Sequence, residues 1–185
     1  MRALCREHYR RGRDASFCLA ADPDADMKWL WVSVLVLVVD QCSKLLADAL
    51  LEMHQLVVLL PFLALRKAYN YGAAFSFLGD ASGWQRWFFI LLALVVIIIL
   101  LAWLRRLPPA DRLVRLALVL ILGGAAGNVI DRALYGYVID FIDVFYGSWH
   151  WPTFNVADSA ISVGAVLLLL DVLRGRDKAA PAPDA

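Results

Sequence analysis

Cysteine is scarce: three stand in 185 residues, at positions 5, 18 and 42. No two of them make a C-x-x-C pair or a zinc spacing, which leaves no legible disulfide framework or thiol redox motif. Histidine is equally thin, since His8, His54 and His150 are too scattered for a zinc cage and no H-E-x-x-H occurs. No glycine loop of the phosphate-cradling kind precedes a helix. Serine hydrolysis lacks its G-x-S-x-G, and Ser43, Ser76 and Ser159 have no histidine at the same expected depth. A net charge of +1 offers no concentrated basic face, so nucleic acid is not an expected partner. Charge is also sparse through the middle of the chain. Sixteen charged residues crowd into residues 1–28 and 174–185, leaving nineteen across the 145 between.

What fills that middle is apolar: 62% of the chain is hydrophobic, against about 45–50% in soluble domains. A membrane helix needs about 20 such residues, because the hydrocarbon slab is ~30 Å thick and a helix rises ~1.5 Å per residue. Four stretches qualify: Trp29–Leu46, Trp87–Leu104, Leu113–Ile130 and Ala157–Leu173. The expected fold is an all-α polytopic membrane protein of one domain, with four transmembrane helices and short extended segments on the exported side. Lys and Arg are retained on the cytoplasmic side. The termini and the connector Arg105–Arg112, with Lys28 and Arg115, hold 13 basic residues, whereas the opposite side has Arg66, Lys67, Arg86 and Arg132. Both termini are therefore expected in the cytoplasm.

The domain reading is a disordered extension at 1–26, a membrane domain at 27–173 with exported segments 47–86 and 131–156, and a frayed tail at 174–185. Met27-Lys28-Trp29 is a natural start, so translation from Met27 is an expectation. Span one is read as retained, although Ala47-Asp48-Ala49 resembles a cleavage site, because Asp40 and Lys44 interrupt its apolar core. In the exported segments, Leu56–Leu65 and Ala68–Phe77 are rich in β-branched, aromatic and small residues, punctuated by Pro61 and Gly72, which predicts extended structure. Tyr137–Tyr146 and Trp149–Phe154 flank Gly147-Ser148, a hairpin signal. Trp84, Trp87, Trp149 and Trp151 suit the headgroup zone. Phe62 and the loop 78–86 are read only as generic packing or interface contacts, and Asp143 as a solvated or hairpin charge.

An ionisable group inside a membrane helix costs at least about 2.5–3.5 kcal/mol, so each one raises a question of function and partner. Asp40 and Lys44, four apart on span one, read either as an intramembrane ion pair or as part of a site. Span three ends in GGAAGNVIDR, where Gly123 and Gly127 allow close helix approach. Asn128, Asp131 and Arg132 then share one face, with Arg132 free to snorkel or to pair with an acid. Span four begins with FNVADSAI, in which Asn155 or Asp158 can serve as a helix cap. Up-down topology brings the end of span three and the start of span four to one membrane face, so Asp131 and Asp158 are expected to meet. Two carboxylates at a water–lipid boundary suit peptide hydrolysis by acid–base catalysis, one taking a proton from water while the other stays protonated. The helix dipoles would make Asp131 the acid and Asp158 the base.

Asp40-Gln41-Cys42-Ser43-Lys44, Asn70-Tyr71-Gly72-Ala73-Ala74-Phe75, Gly127-Asn128-Val129-Ile130-Asp131-Arg132 with Val138-Ile139-Asp140-Phe141, and Phe154-Asn155-Val156-Ala157-Asp158 together resemble the lipoprotein signal peptidase (signal peptidase II) family, in order from about Met27 to Leu173. The resemblance implies a metal-free, cofactor-free aspartyl endopeptidase of the bacterial inner membrane, with a small β-rich exported cradle, inhibited by the cyclic peptide globomycin. It implies cleavage just before a diacylglyceryl-modified cysteine in prolipoproteins, with membrane phospholipid as surroundings and a monomer as the expected state. Carried onto the matching motifs, it implies that the catalytic pair falls on Asp131 and Asp158. Asp40, Lys44, Asn70, Asn128, Arg132, Asp140 and Asn155 are implied as supporting residues; for Asn70 a turn-forming role before Gly72 stands beside this. Two other classes fit the composition. A proton-coupled or ion-conducting protein predicts acids near mid-bilayer, and a four-span scaffold predicts that Asp131→Asn lowers stability and spares turnover.

Overall fold

The structure is a computed structural model that describes residues 23–72, 83–108 and 110–178. The extension 1–22, residues 73–82 and the end of the tail from 179 lie outside the described residues, and with them most of the 78–86 loop and the second half of the Ala68–Phe77 segment. Among the described residues there are four long helices: α1 (Pro23–Leu50), α2 (Trp84–Leu104), α3 (Arg112–Leu134) and α4 (Val156–Lys178). Each contains a stretch long and apolar enough to cross a membrane, at Lys28–Leu50, Trp84–Leu104, Arg112–Leu134 and Val156–Arg174. The helices outrun the expected spans by a few residues, and the structure begins α1 at Pro23 and carries α4 to Lys178, past the boundaries read from composition.

Helix α3 is the hub. It packs against α1, α2 and α4, and its Ala117, Leu118 and Val119 are fully buried. Leu100, Leu104 and Leu107 join Val114, Leu118, Val119 and Leu122 in one apolar cluster. The outer helices turn the usual pattern outward: Trp87, Leu91 and Ile98 on α2, and Val163, Val166 and Leu169 on α4, are exposed. Lipid, not water, is the medium that such surfaces suit. Small residues set how close α3 comes to its neighbours. A Cβ on Gly123 would meet Ser33 and Val36 of α1, one on Gly124 would strike the Ala157 carbonyl of α4, and one on Gly127 would overlap the Asp40 carboxylate. We expect Gly127→Ala to lower the thermal unfolding midpoint in detergent and to reduce turnover about tenfold or more, since a displacement near 1 Å in a catalytic constellation costs about a hundredfold. An unaffected variant would show that the contact between α1 and α3 has slack.

The remaining strands form one antiparallel sheet in the order β1 (Leu56–Leu60), β2 (Leu63–Asn70), β3 (Val138–Tyr146) and β4 (Trp149–His150). The all-α description is therefore too narrow. Pro61 and Phe62 turn β1 into β2, and Gly147-Ser148 turns β3 into β4, with Gly147 at φ 60°. Gly136, at φ 89°, ends α3 in the left-handed conformation that a side chain disfavours, and β3 starts two residues later. Pairing of β2 with β3 sets Asn70 against Val138 and Ala68 against Asp140, with a bulge between Leu65 and Ala68. Phe154 bridges Ile142 just before α4. The sheet thus lies where α3 ends and α4 begins.

Candidate active site

Lys44 sits at the centre of the helical part, and its ammonium has three protons to place. They meet Asp40 Oδ2 at 2.8 Å, Asp131 Oδ2 at 2.9 Å and Asn128 Oδ1 at 3.0 Å. Lys44, Asp40 and Asp131 are almost wholly inaccessible, so the cation and its two anions offset one another's desolvation. Gln41 completes the group by donating to Asp131 Oδ1 at 2.8 Å and more distantly to Asp40 Oδ2 at 3.3 Å. The Ile139 amide donates to Asp131 Oδ2 at 3.3 Å, which ties the end of α3 to β3. The ion-pair reading of Asp40 and Lys44 fits this geometry.

The second half is built on the first turn of α4. Asn155 accepts from the Asp158 amide at 2.9 Å, and Asp158 Oδ2 accepts in return from the Asn155 amide at 3.3 Å, a reciprocal capping box. The Ala157 amide goes to Asp40 Oδ1 at 2.8 Å, so α1 caps α4 across the bundle. Asn128 links the two halves: its oxygen accepts from Lys44 while its Nδ2 donates to Asp158 Oδ1 at 2.8 Å. The orientation of that amide is thereby fixed, because only the oxygen end can face an ammonium.

Asp140, on β3, is gripped by two amides. Asn155 Nδ2 donates to Oδ1 at 2.7 Å and Asn70 Nδ2 to Oδ2 at 3.1 Å, while Asn70 Oδ1 accepts from the Gly72 amide at 3.0 Å. Asn70 therefore makes the turn contact before Gly72 with its oxygen and the bond to Asp140 with its nitrogen. Arg132 donates to the Gly72 carbonyl at 2.8 Å and stacks over Phe89 at 5.3 Å. Burial, and after it the negative charge of Asp158, push the Asp140 carboxyl from its ordinary 3.8 up to about 7, against the pull of Asn70, Asn155 and Lys44. A carboxyl raised in this way binds its proton more tightly folded than unfolded, so its share of stability is present at acid pH and declines as pH climbs from about 4 to 7.

A cleft of about 760 Å³ opens beside these groups, lined by Asn70, Asn128, Arg132, Asp140 and Asp158, with Arg66 and Trp151–Phe154 over the sheet and Ser159, Ile161, Ser162 and Val163 along α4. Asp131 is not among its lining residues. The expected meeting of Asp131 with Asp158 is thus replaced by a different pairing: Asp131 is consumed by Lys44 and Gln41, and the acid that shares the cleft with Asp158 is Asp140. The reason is the path of the chain after Gly136, since β3 doubles back over the helix ends and carries Asp140 to the mouth. Asp143 also departs from expectation. It is fully buried, with Oδ2 at 2.9 Å from Arg66 Nε and Oδ1 at 2.8 Å from His150 Nδ1. Gln41 escaped the sequence reading because adjacent helical positions do not share a face with Asp40. Arg86, in the segment read only as packing, donates to the Ala133 carbonyl at 2.8 Å and pins the start of α2 to the end of α3. Among the described residues no group of three or more His, Cys, Asp or Glu is arranged to hold a metal ion. Chemically, the cleft offers two carboxylates, one of which keeps its proton near neutrality.

Comparison with known proteins identifies the family. A family model described as signal peptidase (SPase) II matches residues 32–174. A lipoprotein signal peptidase of Pseudomonas aeruginosa is 50% identical over 160 residues, covering 83% of this chain and 95% of that protein. One from Alteromonas mediterranea is 46% identical over 155 residues, covering 84% and 85%. A solved bacterial membrane enzyme superposes with a TM-score of 0.74 at 27% identity, over 85% of this chain and 94% of the other.

Proposed function

The chain belongs to the signal peptidase II family, and on that premise we propose that it removes the signal peptide of diacylglyceryl-modified prolipoproteins, cutting just before the lipidated cysteine with Asp140 and Asp158 as the working pair. The observation that carries this reading is that the two carboxylates line one cleft and that the charge of Asp158 helps hold Asp140 protonated to about pH 7. Ionised Asp158, at the positive end of α4, takes a proton from water as it attacks the scissile carbonyl. Protonated Asp140 polarises that carbonyl and then delivers its proton toward the leaving amine. Asn128 and Asn155 hold the two carboxylates in place, and Arg132 fixes the Asn70–Gly72 turn. Asp40, Lys44 and Asp131 form the frame behind them.

The same reading places the enzyme in the bacterial inner membrane with both termini in the cytoplasm and the cleft near the periplasmic face. The exposed Trp84, Trp87, Trp149 and Trp151 then sit in the headgroup zone, and the sheet forms the exported cradle. A lipidated substrate cannot leave the bilayer, so carboxylates at the helix ends meet its scissile bond where water begins. The enzyme works as a monomer on this reading, needs no metal, and is blocked by globomycin. The direct test is cleavage of a diacylglyceryl prolipoprotein by the purified protein, with the products weighed by mass spectrometry. A new amino terminus at the lipidated cysteine is expected; no cleavage, or cleavage elsewhere, would sink the reading.

The pair also sets a pH profile. Activity should fall on the alkaline side as Asp140 loses its proton near pH 7. A rate still rising at pH 9 would exclude a protonated Asp140 as the acid.

A further inference from the structure

Arg66 stands apart from the catalytic pair, yet it lines the same cleft. It lies in the β2 bulge, where Leu65 and Ala68 face Ile142 and Asp140. Its Nε is held 2.9 Å from Asp143 Oδ2, and its side chain remains one-third exposed. Asp143 is itself wholly buried and braced on its other oxygen by His150 at 2.8 Å. A long flexible cation is thus held near one nitrogen by the charge of a buried anion, and its planar fork loses less entropy per hydrogen bond formed on a ligand. The local charge is largely balanced by Asp143. What the guanidinium offers the cleft is therefore a set of directed N–H donors more than a bare positive field, and peptide carbonyls are the acceptors that suit it.

Position supplies the register. Ser159, Ile161, Ser162 and Val163 of α4, the two acids Asp158 and Asp140, and Arg66 on the sheet all line the one cleft. Asp143 stands three positions beyond Asp140 on β3, about 10 Å of extended chain. The reading proposed above puts the scissile bond at the helix ends; with the apolar signal kept among the helices, the sheet is the surface left for the mature polypeptide. We propose that Arg66, anchored by Asp143, is a binding residue for the mature segment, donating to backbone carbonyls about two to four residues beyond the scissile bond.

The test uses the purified full chain and two synthetic diacylglyceryl prolipopeptides, identical through the lipidated cysteine, one ending a single residue later and the other six residues later. In the parent, kcat/KM should favour the longer peptide by about tenfold, the worth of a charge-assisted hydrogen bond. In Arg66→Met that ratio should fall toward one, mainly through a higher KM for the longer peptide. Arg66→Lys, which loses the planar fork, should also reduce it, and serves if Arg66→Met yields too little folded protein. A ratio retained in both variants, or no preference in the parent, overturns the proposal. So does an intact ratio accompanied by a lost response to added phosphatidylglycerol vesicles, which would assign Arg66 to a lipid headgroup. Failure of the peptidase reading looks different, because the parent would then cleave neither peptide.

Discussion

Lys44→Met is expected to destabilise the protein by about 3–5 kcal/mol, the usual consequence of removing one partner from a buried ion pair. Methionine fills nearly the same volume, so packing is not the issue. The loss comes from leaving Asp40 Oδ2, Asp131 Oδ2 and Asn128 Oδ1 without the ammonium that satisfies all three. With that anchor gone the Asn128 amide can turn over, and its bond to Asp158 loses its fixed direction, so turnover should fall as well. The triple variant Lys44→Met, Asp40→Asn, Asp131→Asn discards the charges together and should regain a large part of the lost stability. Thermal unfolding in detergent measures both. If Lys44→Met unfolds within a degree or two of the parent, the buried network is not what holds α1, α3 and α4 in register.

Asp140→Asn and Asp158→Asn should each lower hydrolysis at least about a thousandfold, toward the upper end of what acid–base catalysis supplies. Asparagine keeps the shape of the side chain but neither takes nor gives a proton at the required pKa. Asp158→Asn retains an oxygen to accept from Asn128. Asp140→Asn turns one acceptor into a donor facing Asn70 or Asn155, at a cost of about 1–3 kcal/mol in stability. On the proposed mechanism the two acids act as one unit, so the double variant should be scarcely worse than either single one. Losses that simply multiplied would mean that the two carboxylates serve separate steps. Globomycin binding by each variant checks that the cleft survives, so that a folding defect is not mistaken for lost chemistry.

Much of the architecture is legible in the chain because lipid imposes blunt rules. Four apolar runs of the required length are visible by eye, and the glycines of GGAAGNVIDR pack α3 against both α1 and α4 as small residues in membranes do. The hairpin at Gly147-Ser148 is equally plain. The sheet register is not, since the bulge between Leu65 and Ala68 leaves no trace in a sequence pattern. The site was half legible for the same reason. Asn128, Asp131, Asn155 and Asp158 follow from helix ends meeting at one face. The choice between Asp131 and Asp140 depends on how β3 folds back, and both acids lie in one continuous string. A topological argument brings either to the correct side of the membrane; only the geometry puts Asp131 on Lys44 and Asp140 in the cleft. Asp143 was misread because a polar residue near a turn is ordinarily solvated, whereas Arg66 and His150 close over this one.

Single-turnover cleavage of a diacylglyceryl prolipoprotein by Asp131→Asn and Asp140→Asn, each verified as folded, separates the two aspartates most directly. The account predicts that Asp131→Asn, though less stable, keeps measurable cleavage within about a hundredfold of the parent and retains the alkaline fall near pH 7, while Asp140→Asn shows essentially none. Robust cleavage by Asp140→Asn with none from Asp131→Asn would return the catalytic role to Asp131 and contradict the mechanism.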